Sequence, residues 1–369
     1  MLIEAAVQNI SQERLIIEKV ELAPPRKGEI LVRIVSCGIC HTDEAQRHGG
    51  GVYPVVLGMK GSGILEAMGE DVHNFKKGDH VVISYPTCGF CSACVAGKPY
   101  DCEHLGDLFD GLRLDGTSPM TKKGETVATF FGQGGFGTYA VCDARNAVIV
   151  DKDLDLRILG PLGCGVQTGA GSVLNYLKPK KGQSIAIFGV GSVGLSAVMA
   201  SKIAGCDPII AVDIIQTRLE LAGRFGATHL LSGKNLTTLR KQLMEVNGGL
   251  DYFFETSGNQ RVLDTAVESL GRNGTGACVG IGNTPRLKTR DREMGKSCEE
   301  LIQGCSNPQI FIPEMISFYK KGKFPFDKII TFFALEEINE AFEASAKGIV
   351  VKPVILMPEN LTREEKEIL

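Results

Sequence analysis

Two textures of hydrophobic pattern divide the chain. Up to about residue 160 the apolar positions fall in short runs rich in Val and Ile, at 29–36, 80–85 and 147–151. Turn signals such as Pro25-Arg-Lys-Gly28 and Lys76-Lys-Gly-Asp79 separate them. Short strands without intervening helices predict a barrel or sandwich. From residue 161 the pattern changes. A helical stretch over 162–177 precedes a continuous apolar strand at 184–190 and a glycine-opened helix at 191–204. A strand at 209–212, a helix at 216–225 and strands at 251–255 and 276–280 follow. Alternating buried strands and helices predict a parallel, doubly wound sheet. Beyond 300 come a helix at 313–321, a strand and helix over 329–346 and a final apolar strand at 350–356. This tail is expected to return to the first domain. The assignment is therefore 1–160 with 301–369 for one β-rich domain and 161–300 for the other. Polar residues from 359 are expected to fray.

At 369 residues the chain is long for one domain, which agrees with that division. Hydrophobic residues make up 43% and charged residues 22%, as in an ordinary globular protein. A net charge of −3 supplies no basic field, which argues against nucleic acid or an anionic membrane as partner. No apolar run reaches the roughly 20 residues of a bilayer span, and Met1 to Asn9 lacks a signal-peptide pattern. Twelve cysteines in such a chain are expected to be thiols, metal ligands or catalytic groups in the cytoplasm.

Two motifs carry chemistry. Gly189-Val-Gly191-Ser192-Val193-Gly194 follows a buried strand and opens a helix, and Asp213 ends the next strand. In that context the glycines allow a tight turn and close approach of a pyrophosphate, and the helix start offers free N–H groups. Asp213 is placed to bind the adenosine ribose hydroxyls and to repel a 2′-phosphate, so NAD(H) is the expected cofactor. Cys88, Cys91, Cys94 and Cys102 put four thiols within 15 residues, the donor set of a closed, structural zinc site. Cys37, Cys142, Cys206, Cys278, Cys298 and Cys305 show no metal spacing, and His48, His73, His80, His104 and His229 read as surface or structural residues.

Together the metal lobe, the glycine motif and the domain order resemble the zinc-type medium-chain dehydrogenase/reductase superfamily, most closely its bacterial aryl-alcohol (benzyl-alcohol) dehydrogenases. The segments Gly38-Ile-Cys-His-Thr-Asp43, Gly160-Pro-Leu-Gly-Cys-Gly-Val-Gln-Thr-Gly-Ala-Gly171, Ala211-Val-Asp213, Gly322-Lys-Phe-Pro-Phe-Asp327 and Gly348-Ile-Val-Val-Lys-Pro-Val354 carry the likeness. It implies an α/β chain with a GroES-like catalytic domain and a Rossmann domain, a homodimer or homotetramer, and a catalytic zinc. It matches Cys40 and Cys164 to two zinc ligands and Thr42 to the hydroxyl that relays the substrate proton. His41 matches a cofactor-phosphate contact, Lys352 a basic residue near the pyrophosphate, and Asp43 a carboxylate that orients the ligating imidazole.

At one point the sequence departs from the family. The third ligand comes from a Gly-His-Glu motif, and here the residues are Gly58-Met59-Lys60. A thioether is a weak zinc ligand, and a cation at Lys60 opposes Zn²⁺. The relay histidine of many relatives is Ala45. Three readings follow: the catalytic zinc is absent or weak; zinc binds through Cys40, Cys164, water and His48 or Asp43; or positions 59 and 60 have been altered in an active alcohol dehydrogenase. The first is the expectation. Lys60 then either polarises a carbonyl as a catalytic residue alongside Thr42 or pairs with Asp43. With the cofactor site intact, the expected activity is an NAD(H)-dependent reductase of aromatic or conjugated carbonyls. Zinc-dependent aryl or allylic alcohol oxidation is the alternative, and a non-catalytic nucleotide-binding scaffold or redox sensor a further one. Phe109, Phe130, Phe131 and Phe136 are candidate lining for a flat substrate, or plain core.

Overall fold

The computed structural model describes residues 1–49, 51–246, 248–280 and 294–358. The chain forms two compact units. One takes Met1–Cys164, Asn307–Pro313 and the chain from Asp327; the other takes Gly165–Ser306 and Glu314–Phe326. Residues 301–306 and the segment Glu314–Phe326 therefore group with the second unit and residues 161–164 with the first, whereas the sequence pattern assigned 301–369 to the first and 161–300 to the second. The polar residues from 359 lie outside the described residues.

In the first unit, strands Leu2–Gln8, Ile16–Leu22, Met120–Lys122, Glu125–Thr129 and Val55–Val56 close a barrel. Seven more strands form a second sheet in which Glu29–Gly38 is central. It pairs antiparallel with Gly61–Met68, Tyr139–Asp143 and Lys352–Leu356. Lys352–Leu356 also pairs in parallel with Ile330–Ala334. Val7, Val20, Ile34, Val55, Val127 and Phe136 belong to one apolar core that also takes in Met59 and Cys164. Alternating inward Val and Ile make these strands, because β-branched side chains pack well on a pleated face.

In the second unit six parallel strands run in the order His229–Ser232, Ile209–Asp213, Ile185–Phe188, Leu250–Glu255, Leu270–Cys278, Ser297–Glu300. This is the 3-2-1-4-5-6 order of a dinucleotide-binding sheet. Ile185–Phe188 is buried at every position, as a strand covered on both faces must be. Helices Ser192–Ala204 and Gln216–Phe225 match the sequence pattern within a residue.

The helix predicted over 162–177 is broken. Gly160–Gly163 is a 3₁₀ turn, Gly165–Gly171 is α-helical and Ser172–Leu177 is a π-helical stretch. Cys164 sits at the break with φ −153° and ψ −89°. Gly163 packs so tightly that a Cβ there would lie 2.3 Å from the Ile83 carbonyl oxygen. Close packing of the turn overrides the helical periodicity.

Candidate functional site

The thiol–lysine cluster of the first unit starts at the C-terminal end of Glu29–Gly38. Cys40 caps the helix His41–His48, and its N–H donates to Asp43 Oδ2 at 2.9 Å. The other Asp43 oxygen accepts from Gly58 N at 3.0 Å. Asp43 thus ties the first helix turn to the loop that carries Met59 and Lys60. Burial raises its pKa to about 7, and the Lys60 charge opposes that rise. The Thr42 hydroxyl lies 3.6 Å from Cys40 Sγ.

The loop Gly58–Gly61 is clamped on both sides. Gly58 has φ +98°, and its carbonyl accepts from Gly135 N at 2.8 Å. Gln133 Nε2 donates to the Met59 carbonyl at 3.2 Å while its Oε1 accepts from Gly61 N at 3.3 Å. Sequence reasoning missed Gln133: a glutamine in a Gly-Gln-Gly-Gly stretch carries no local signal of a buried clamp. Met59, 1% exposed, packs as part of the apolar core.

Lys60 is fully buried, at 0% exposure. Its Nζ makes no hydrogen bond of good geometry. Burial alone lowers a lysine pKa, but the charges of Cys40, Cys164 and Asp43 reverse this and hold Lys60 above the usual lysine value. The contact with the sulfurs is chiefly one of charge, with a smaller hydrogen-bond contribution from Cys40, and Asp43 acts on Lys60 as a charge. Lys60 and Asp43 do not form the direct pair that is one of the two readings of this position: Asp43 Oδ2 is engaged by Cys40 N and Oδ1 by Gly58 N. Nor is the ammonium open to a substrate. Cys40 is half-buried and Cys164 buried, and their side chains are hydrogen-bonded to each other. This contact and the Lys60 charge hold the Cys40 thiol well below its ordinary pKa.

Lys352, expected at the pyrophosphate, is 2% exposed and donates to the Ile39 carbonyl. Burial, with Lys60 nearby, lowers its pKa to about 8. Replacing Asp43 by Asn turns an NH₂ group toward one of two buried N–H donors. We expect a loss of about 1–3 kcal/mol in stability, read by chemical denaturation with the denaturant slope unchanged.

Among the described residues, the one cluster of three or more His, Cys, Asp or Glu donors placed to share a metal is Cys88, Cys91, Cys94 and Cys102. Cys88 Sγ and Cys94 Sγ are 4.0 Å apart, close to the ~3.8 Å edge of a tetrahedron with 2.3 Å Zn–S bonds. Backbone N–H groups of Cys88 and Cys91 point at Cys102 Sγ and Cys88 Sγ, both at 3.3 Å. This donor set fits zinc. His48 is engaged with Glu44 at 3.1 Å and joins no such cluster with Cys40 and Cys164. His41 is exposed at the first position of its helix.

The glycine motif of the second unit also fits its cofactor. Gly189 has φ +80°, and a Cβ on Gly194 would fall 1.9 Å from the Gly189 carbonyl oxygen. Gly191 faces open space, where a phosphate needs close approach. Ser192 Oγ is buried without a partner at the helix N-terminus beside Val193. Asp213 accepts from Val190 N at 2.8 Å and from Ile215 N at 2.9 Å, which leaves one lone pair on each oxygen for ribose hydroxyls.

Of the four candidate phenylalanines, Phe130, Phe131 and Phe136 are buried and Phe109 is half-exposed. Phe109 meets Phe130 and Phe131 edge-to-face, with centroids 5.1 and 5.3 Å away. Phe136 packs against Phe342 in the core. Phe109 alone keeps exposed ring surface. No helix among the described residues is long and apolar enough to cross a membrane.

These features agree with comparisons to known proteins. Residues 26–152 match the alcohol dehydrogenase GroES-like domain, and residues 192–304 the zinc-binding dehydrogenase family. The chain is 40% identical over 362 residues to geraniol dehydrogenase of Castellaniella defragrans, covering 96% of this chain and 97% of that one. It is 33% identical to the class-3 alcohol dehydrogenase of Drosophila melanogaster over 95% of this chain and 97% of the relative. The crystal structure of benzyl alcohol dehydrogenase from Acinetobacter calcoaceticus superposes with a TM-score of 0.92 at 39% identity, over 97% of this chain and 99% of that one. The chain therefore belongs to the zinc-type medium-chain dehydrogenase/reductase superfamily and is an NAD-dependent, alcohol dehydrogenase-like oxidoreductase.

Proposed function

We propose that this protein transfers hydride from NADH to an aromatic or conjugated aldehyde or ketone, working as a reductase without a catalytic zinc. The single observation that carries this reading is Lys60, a buried cation set against the Cys40 and Cys164 sulfurs. A divalent ion between those sulfurs meets a fixed positive charge and a thioether where a neutral imidazole is needed. The donor set does not fit the catalytic metal.

In zinc enzymes of this kind the metal stabilises a developing alkoxide. Without it, a conjugated acceptor is the easier substrate. Hydride from NADH then adds to the β-carbon of a conjugated C=C, leaving NAD⁺, and the charge spreads over an enolate that a weaker donor can hold until it takes a proton from water. With benzaldehyde, which has no such C=C, hydride adds at the carbonyl carbon and the alkoxide takes the proton. Thr42 is the hydroxyl of the cluster assigned to that donor role, and Cys40 the neighbour that holds it. Lys60 positions the cluster and does not touch substrate. The residues assigned to the cofactor are Gly189, Gly191, Ser192, Val193, Gly194 and Asp213. The Cys88 lobe takes one structural zinc. The family likeness adds a homodimer or homotetramer in the cytoplasm.

The named relatives favour a second reading: zinc-dependent oxidation of an aryl or allylic alcohol to the aldehyde. Two measurements on metal-replete protein separate the readings. Elemental mass spectrometry is expected to give one zinc per chain. NADH oxidation is expected with cinnamaldehyde, benzaldehyde or a quinone. Two zincs per chain together with zinc-dependent benzyl alcohol turnover would replace the reductase reading. Tight NADH binding without turnover of any carbonyl would leave the scaffold.

A further inference from the structure

We infer that Lys60 is a built-in cation that fills the seat of the catalytic metal, and that its charge, more than the missing histidine, keeps zinc out. The inference rests on the zinc-free reading above and names the residue responsible for it.

Three observations support it. First, Lys60 is fully buried, and its Nζ makes no hydrogen bond of good geometry. An ammonium is retained in such a place only where compensating charge surrounds it. The groups around it are Cys40, Cys164 and Asp43 on the anionic side. The second nearby cation, Lys352, also feels the sulfurs' charge but spends a donor on the Ile39 carbonyl, which leaves Lys60 as the cation whose charge acts most strongly on Cys40. Second, the backbone that presents Met59 and Lys60 is held independently of either side chain. Asp43 fixes Gly58, Gln133 fixes the Met59 carbonyl and Gly61 N–H, and the Lys60 carbonyl accepts from Gly38 N at 3.4 Å. A Cβ on Gly160 would lie 2.6 Å from that carbonyl, so the loop is closed in from that side as well. Side chains can therefore be exchanged at 59 and 60 without moving the loop. Third, Cys40 and Cys164 are not joined in a disulfide and lie in mutual contact. Two of three metal donors are already together.

Restoring the ligand while keeping the cation separates the two causes. Zinc per chain is counted by elemental mass spectrometry for the natural protein, Met59→His, Met59→His/Lys60→Met and Lys60→Gln. Folding is followed by circular dichroism. Met59→His is expected to hold no more zinc than the natural protein. Met59→His/Lys60→Met is expected to hold one more. Lys60→Gln, with Met59 kept, is expected to bind a second zinc at least 100-fold more tightly than the natural protein in competition with a chromogenic chelator. This variant decides the matter should the double variant not fold.

Full uptake of a second zinc by Met59→His alone would overturn the inference and leave the reductase reading standing. A folded double variant without extra zinc would also overturn it. So would unchanged affinity in Lys60→Gln. A second zinc in the natural protein would overturn both the inference and the zinc-free reading on which it rests.

Discussion

Replacing Gly58 by alanine is expected to cost the first unit about 3–5 kcal/mol. At φ +98° an L-residue is strained. The added Cβ would also meet Phe136 N at 2.6 Å, the Gly135 carbonyl carbon at 2.9 Å and Cys37 Sγ at 3.0 Å. Two of those atoms are backbone, held by the bonds from Gly135 N to Gly58 O and from Phe136 N to Leu57 O. Neither can move away without breaking the clamp. At about 2–4 °C per kcal/mol, the unfolding midpoint of this unit should fall by about 6–20 °C. Gly97→Ala is the control: its φ is +75°, but no atom lies within 4 Å of the new Cβ. Only the backbone cost of about 1–2 kcal/mol remains there. Equal midpoints for the two variants in calorimetry would refute the close packing around Gly58.

Asp213→Asn is expected to weaken NADH binding about 100-fold, or roughly 2.7 kcal/mol. The natural carboxylate accepts two backbone N–H groups, one from the glycine-rich turn and one from the start of the following segment. An amide has one oxygen, so one of these N–H groups would face an NH₂. The turn loses a tie, and the ribose loses a charged acceptor. The same change removes the repulsion of a 2′-phosphate, so the preference for NADH over NADPH should narrow. Fluorescence titration with both nucleotides measures the two effects at once. An NADH dissociation constant within threefold of the natural protein would sink the assignment of Asp213 to the ribose.

Much of the second unit was legible in the sequence, because its strands are buried on both faces and read as unbroken apolar runs. Ile209–Asp213 and Leu250–Glu255 are found within a residue or so of their predicted bounds. The four lobe cysteines were legible from spacing, since a short loop with two turns brings them together on its own. The barrel closure was not legible. Pairings such as Val7 with Val56, or Val55 with Ala128, join segments tens of residues apart and leave no local period. The burial of Lys60 and Lys352 was hidden for another reason: a lysine reads as surface unless its compensating charges are seen, and those come from residues 40, 43 and 164. Phe130 and Phe136 show the opposite limit. A ring in a sequence looks the same whether it lines a pocket or fills a core.

The first unit draws its strands from both ends of the chain, and this sets an order of events during synthesis. Glu29–Gly38 leaves the ribosome early, and Tyr139–Asp143 can cover the first half of one edge, yet its Ser36–Gly38 end stays open until Lys352–Leu356 arrives. Ile39, beside Cys40, likewise waits for the carbonyl of Pro353. At about 5–20 residues per second that delay is on the order of 15 to 60 s. The nucleotide-binding sheet has no such gap, since its strands lie between Ile185 and Glu300. It can be complete while the thiol–lysine cluster is still unassembled. The part of the protein made first is therefore finished last, and the strand end that leads into Cys40 stays unpaired for most of the chain's synthesis.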